Sequence, residues 1–394
     1  MKNDTAVIGL VAIAHGASHF FQLAMAPLFP FIKEELGVSY AALGFVVALF
    51  YAVSGVCQPL AGFVVDRYGG RTVLIGGVGL LAAGTLVAGL AGSYAVLVLG
   101  AAIAGLGNSV FHPADFSIIN SRVASGRLGY AYSAHGVAGS LGYASAPVFS
   151  GTVGALFGWH AALIAAAGLG LAVFALLLAN ARKLYVKAQS HPENRFLAGD
   201  ARALFSAPVV LCFLYFAIYA AGLAGLQSFS VAAMTVQYGV PATLASSALT
   251  AYMLGSAGGI FAGGFIASRA ARHDLVAAGG LAIGAAAILA IAAGAVPGAA
   301  LPALLAFAGF SVGATGPSRD MIVRASTPAG ATGRVYGFVY SGLDVGSLAT
   351  PVFYGWLMDN GMPQGVFYAI CILTGIAILT VLQLPGKTRA AAAS

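Results

Sequence analysis

The chain has 394 residues, 60% of them hydrophobic and 7% charged, with a mean hydropathy of +0.93 and a formal net charge of +7. Soluble domains carry about 25% charged residues, so this composition excludes a water-soluble enzyme and points to a bilayer protein. The basic excess also has to be tested against a nucleic-acid surface, and its placement along the chain decides that below.

A helix needs about 20 apolar residues to cross the hydrocarbon core. Twelve such runs are predicted, starting near Ala6, Ala41, Thr72, Tyr94, Gly129, Ala161, Ala207, Ala242, Leu275, Leu301, Arg334 and Gly365. The first follows only Met1 to Thr5 and runs on to Pro27 and Pro30, so it reads as an uncleaved span rather than a secretory signal. It carries His15, His19 and Gln22 at i, i+4 and i+7, which places all three on one helical face. Between runs two and three lies the charged turn Gly62-Phe-Val-Val-Val-Asp66-Arg67-Tyr-Gly69-Gly70-Arg71. Run four holds Asn108, His112 and Asp115, and run five holds His135, Gly139 and Pro147. The longest polar stretch, 182–206, follows run six and reads as a linker. After run eight, Gly264-Phe-Ile-Ala-Ser268-Arg269-Ala-Ala-Arg272-His273 repeats the first turn in faded form. Gly346-Ser347-Leu348 with Pro351 then echoes Gly139-Ser140-Leu141 with Pro147 in run five. Cys57, Cys212 and Cys371 fall in separate apolar runs and suit small packing side chains. With alternating spans and a cytosolic N-terminus, every Lys and Arg except Lys33 falls on or near the cytosolic side, so the charge is topology and not a nucleic-acid surface. Trp159 and Trp356 are expected at the outer interface.

The fold expected is therefore an all-α membrane protein of twelve transmembrane helices in two pseudo-symmetric six-helix bundles, 1–181 and 207–394, joined by a cytosolic linker over 182–206. Both termini are cytosolic in this reading. Two related halves around a midplane site are the plan of a secondary transporter.

Gly62, Asp66, Arg67, Gly69 and Arg71 resemble the loop signature of the major facilitator superfamily, with Gly70 in a place that is usually basic. The resemblance covers the whole chain. Within that superfamily, Ser109-Val110-Phe111-His112-Pro113, His15, Gln22, Gly139 and Pro147 look like the fosmidomycin-resistance branch of bacterial efflux proteins. His19 departs from that branch, where an aspartate is usual, and Ala146 departs from the exporter motif of span five. The resemblance implies a multi-pass protein of the bacterial inner membrane that works by alternating access.

The polar residues inside the spans divide into three expected roles. A conformational latch at the cytosolic edge is expected to use Gly62, Asp66, Arg67, Gly69 and Arg71 with Asp115 paired to an arginine, and Arg269 and Arg272 with Asp320 in the second half. Arg319 is placed at that same edge. A substrate cavity is expected to draw on His15, His19, Gln22, Tyr51, Asn108, His112, His135, Tyr215, Tyr219, Gln227 and Tyr252. Proton coupling is assigned to Asp344, an acid at mid-depth in span eleven without a predicted cation, with His15 and His19 as further candidates. The bland alternative for the histidines is interhelical packing, and a third is transition-metal ligation by His15, His19 and His112.

The function these features imply is proton-coupled efflux of a small polar, amphipathic or anionic molecule. Its alternatives are proton-coupled uptake of an organic anion and transition-metal export, and, outside transport, a membrane receptor or an intramembrane enzyme. The expected partners are a small-molecule substrate, protons and the lipid bilayer, with no cofactor and a functional monomer. No Gly-rich loop ending in Gly-Lys-Ser or Gly-Lys-Thr is present, so the energy would come from a gradient.

Overall fold

The structure is a computed structural model that describes residues 2–124, 127–186, 205–327 and 332–384. The side chain of Asp66 is outside that description, as is most of the expected linker. The contacts divide the chain into two compact units, Met1–Leu197 and Ala198–Ser394.

The first unit contains α1 (Lys2–Ala24), α2 (Phe29–Leu36), α3 (Tyr40–Tyr68), α4 (Gly70–Gly89), α5 (Tyr94–Asn108), α6 (Phe111–Arg122) and α7 (Leu128–Ala179). The second contains α8 (Ala207–Tyr238), α9 (Ala242–Arg269), α10 (His273–Ala292), α11 (Leu301–Gly313), α12 (Gly316–Ser326), α13 (Thr332–Ala349), α14 (Pro351–Asp359) and α15 (Pro363–Leu382). These elements make the twelve spans of the predicted fold, each starting within about a helical turn of its expected position. Spans one, four, ten and eleven are each two helices in series. Spans five and six are the two arms of α7, whose 52 residues are interrupted at Gly158, where φ is 85° and ψ is 161°. Uninterrupted, a helix of that length would reach about 78 Å, more than twice the bilayer core.

Proline explains three of the breaks. A proline lacks an N–H and clashes with the carbonyl four residues before it. Pro113 therefore disrupts span four at Ser109, between α5 and α6, and Pro317 disrupts span ten at Gly313, where α11 ends. Pro351 opens α14 after the break in span eleven, and the Thr350 hydroxyl donates to the carbonyls of Ala221 at 3.0 Å and Gly346 at 3.3 Å. That contact satisfies backbone oxygen inside the hydrocarbon region, where water does not.

Within each unit the helices associate through small residues, because lipid removes the hydrophobic drive that operates in water. The same device joins span one to span five and span seven to span eleven. A Cβ added at Gly142 would lie 2.0 Å from the Gly16 carbonyl oxygen, and one added at Gly346 would lie 2.1 Å from that of Ala217. Gly142 and Pro147 are thus the packing equivalents of Gly346 and Pro351, at one common offset. The expected match of Gly139 with Gly346 is three residues out of register.

Trp159 is buried in the protein at the turn between spans five and six. Its Nε1 donates to Glu35 Oε2 at 2.8 Å, and the adjacent His160 lies between Glu35 Oε1 and the Gly89 carbonyl, at 2.8 and 2.7 Å. This node ties the end of α2 to the turn between spans five and six. Trp356, in α14, is about half exposed.

Candidate functional site

In the first unit, four of the intramembrane histidines and one aspartate form a single cluster. Asp115, fully buried on α6 in the turn after the Pro113 break, has its Oδ2 3.0 Å from His135 Nε2 on α7 and 3.3 Å from His15 Nδ1 on α1. The His15 and His135 rings stack at 3.4 Å between centroids, with His19 at 4.4 Å and His112 at 5.5 Å from His15. Gly139 makes room for them, since a Cβ there would come within 2.9 Å of the His19 ring and 3.1 Å of His15 Nε2. His15, His112 and His135 bring their ligand atoms within 4.8 Å of one another, a spacing that can hold a metal ion.

One turn along α1, Gln22 Nε2 donates to Asn108 Oδ1 at 3.2 Å, Asn108 Nδ2 donates to Ser54 Oγ at 2.9 Å, and Tyr143 OH donates to Gln22 Oε1 at 2.6 Å. This chain links spans five, one, four and two. Gln22 and Tyr51 also line a largely apolar cleft of about 460 Å³ with Thr85, Phe50 and Met25. Tyr143 was not among the residues singled out in the sequence, although a hydroxyl at that depth needs a partner.

The second unit repeats the scaffold with different chemistry. Tyr340 OH donates to Asp320 Oδ1 at 2.8 Å, across the same 20-residue separation that joins His135 to Asp115. Where the first unit has imidazoles, this one has a permanent cation. Arg319 lies 4.9 Å over the Phe216 ring and 5.2 Å over that of Tyr219, both on α8. Its Nε is buried without a hydrogen-bond partner, as is the Tyr215 hydroxyl, and both residues line one tight crevice. Tyr219 and Tyr252 line a separate cleft of about 330 Å³. Gln227 is half-buried and reaches none of these groups.

Several expected pairings are corrected. Asp115 sits with histidines and not with Arg67 or Arg71, because the Pro113 break turns it inward from the helix end. Arg67 stacks on Tyr68 at 5.4 Å and Arg71 on Tyr185 at 5.1 Å. Arg272 is bound to Asp274, two residues away, with Nε–Oδ1 at 2.9 Å, and not to Asp320. Arg269 is exposed, and no contact joins it to Asp320. Arg319 packs on aromatic rings of α8. Gly62 and Gly264 face open space, whereas Gly69, at φ 81°, takes a backbone conformation that favours glycine, and an added Cβ would lie 2.9 Å from the Val186 carbonyl. Gly70 packs so closely on α6, with an added Cβ 3.0 Å from Ile118 and 3.1 Å from the Ala114 oxygen, that a basic side chain does not fit there without rearrangement. Asp344 is half-buried on α13, and no hydrogen bond or ion pair joins it to another described residue.

Two segments, 11–232 and 220–393, match the family model of the Major Facilitator Superfamily. The chain belongs to the Major Facilitator Superfamily. Members of that superfamily are multi-pass membrane transporters rather than enzymes. The chain is 27% identical to the Fosmidomycin resistance protein of Escherichia coli over 40% of its own length and 38% of that protein. It is 24% identical to the Probable sulfoacetate transporter SauU of Cupriavidus necator over 51% of this chain and 48% of that protein. Multidrug resistance protein 1 of Bacillus subtilis matches at 26% over 51% of each chain. These alignments span no more than about half of the curated relatives' length. A solved bacterial homologue of the human lysosomal transporter Spinster has the same fold, with a TM-score of 0.73 at 17% identity over 96% of this chain and 94% of that one.

Proposed function

We propose that this transporter exports a small molecule bearing an anionic group in exchange for protons. It acts as a monomer in the bacterial cytoplasmic membrane, with both termini in the cytosol. The observation that carries the reading is Arg319. A guanidinium is always charged and offers five donors in a fixed fork suited to carboxylate, sulfonate or phosphonate oxygens. Here it is held on two aromatic faces that support its charge, and its buried Nε has no hydrogen-bond partner. Its nearest acid, Asp320, is 3.9 Å away, half exposed, and already accepts from Tyr340. A cation so placed inside a span is costly unless it serves a ligand or a charge pathway.

Asp344 is the proton-carrying group in this reading. An uncompensated carboxylate in the hydrocarbon region is far cheaper with a proton than without one, and conformational change that re-solvates it releases that proton. Two relatives named for resistance support the outward direction, and the relative named for sulfoacetate supports an anionic substrate.

The experiment is gradient-driven accumulation in everted membrane vesicles, acid inside, with a panel of carboxylates, sulfonates and phosphonates that includes sulfoacetate and fosmidomycin. Accumulation should collapse with a protonophore, be lost in Arg319→Gln and survive in part in Arg319→Lys. Full activity in Arg319→Gln would remove the anion assignment. Accumulation only in right-side-out vesicles would turn the reading to uptake.

A further inference from the structure

The histidine cluster of the first unit is not used by this reading, and three of its imidazoles stand close enough together to hold a metal ion. Four side chains from three spans converge: His15 of α1, His112 and Asp115 of α6, and His135 of α7. In a tetrahedral site with metal–nitrogen and metal–oxygen bonds of about 2.0–2.1 Å, neighbouring ligand atoms stand roughly 3.3–3.4 Å apart. Asp115 Oδ2 is 3.3 Å from His15 Nδ1 and 3.0 Å from His135 Nε2, and the imidazole ligand atoms lie within 4.8 Å of one another. His112 is the exposed member of the set.

Hydrogen bonding alone leaves this site incomplete. His15 Nδ1 faces the carboxylate at 3.3 Å without hydrogen-bond geometry, and His15 Nδ1, His19 Nδ1 and Asp115 Oδ1 are all buried without a hydrogen-bond partner. Each such group costs roughly 1–3 kcal/mol when left unpaired. Three imidazoles and one carboxylate are a donor set that a divalent transition ion takes. Ring stacking of His112 on Phe116 at 5.9 Å and 18° orients this exposed ligand. The absence of a side chain at Gly139 leaves the other rings free to adjust.

We propose that the first unit binds one divalent transition ion of the Zn2+, Co2+ or Ni2+ class through His15, His112, His135 and Asp115. Three nitrogens and one oxygen select this class over Ca2+ and Mg2+, which take mostly oxygen ligands. His19, 4.4 Å from His15, is a neighbouring group that supports the His15 ring and is not a ligand. The proposal stands apart from anion export, because equilibrium ion binding needs neither a substrate nor a gradient.

The test is a Co2+ titration of the purified full-length protein in detergent, with any affinity tag removed and Zn2+ as competitor. One equivalent per chain should develop the intense visible bands of tetrahedral Co2+, and Zn2+ should abolish them. His112→Ala and Asp115→Asn should each weaken binding by at least about tenfold, the lower limit for losing even a supporting group at a metal site. His112 is exposed, so its truncation leaves the fold intact, and a monodisperse His112→Ala protein with a wild-type melting curve verifies this. His160→Ala, at the opposite histidine node, should bind as wild type does. Absence of the bands, or bands that persist unchanged in both His112→Ala and Asp115→Asn, would overturn the proposal.

Discussion

Replacing Gly142 by alanine tests whether the contact between spans one and five sets the geometry of the histidine cluster. The new Cβ would stand 2.0 Å from the Gly16 carbonyl oxygen, inside the 3.0 Å that Cβ atoms keep from their neighbours, so the two helices must separate by about 1 Å. The obstruction is backbone, which no rotamer change relieves. Overpacking of this kind costs about 1–3 kcal/mol, and a unit of this size loses roughly 2–4 °C of melting temperature per kcal/mol. The expected drop is therefore about 2–12 °C for Gly142→Ala, read by thermal melting in detergent, with a similar drop for Gly346→Ala in the second unit. The same displacement would pull His15 from its 3.4 Å stack on His135 and loosen the Asp115 contacts. Gly136→Ala, two turns earlier on α7 with no atom within 4 Å of the added carbon, is the control and should lose nothing. If Gly142→Ala melts with Gly136→Ala, the close approach does not hold the two spans in place.

Asp344→Asn should abolish transport driven by a pH gradient yet keep substrate counterflow, which needs only alternating access of the loaded protein; retained gradient-driven transport would remove Asp344 from the mechanism. Glu35→Gln should weaken the anchor formed with Trp159 and His160. Charged hydrogen bonds are worth about 1.5–3 kcal/mol each, but the carboxylate is half exposed, so the loss should be nearer about 1 kcal/mol and should appear as a Trp159 fluorescence change preceding global melting. Gly70→Arg, which would restore the basic residue usual at that place in the family, should lower stability, because an added Cβ meets Ile118 and the Ala114 carbonyl at 3.0 and 3.1 Å; a stability gain would show that the loop opens more easily than its packing suggests.

The sequence alone determined what depends on composition and on repeated local pattern. Hydrophobic length set the spans, since a bilayer of fixed thickness reads only how many apolar residues run together. The repeated loops at Gly62 and Gly264, with the proline pairs Pro147 and Pro351, made the duplication visible. The i, i+4, i+7 spacing put His15, His19 and Gln22 on one face, and they do share it. Pairing across helices was decided only in three dimensions. Asp115 looked like a partner for Arg67 or Arg71 because helix rise alone places it near the same edge. The backbone break before Pro113 and the close approach at Gly142 instead bring it to His15 and His135, which are 100 and 20 residues away in sequence. The packing of Arg319 on the rings of Phe216 and Tyr219 was likewise decided only there. Helical periodicity reports which residues share a face, but it carries no information on how far one helix slides or rotates against the next. Small residues such as Gly142 and Gly346 set that register by how closely they let two backbones approach, and the same close packing in both halves then presents different side chains to each site.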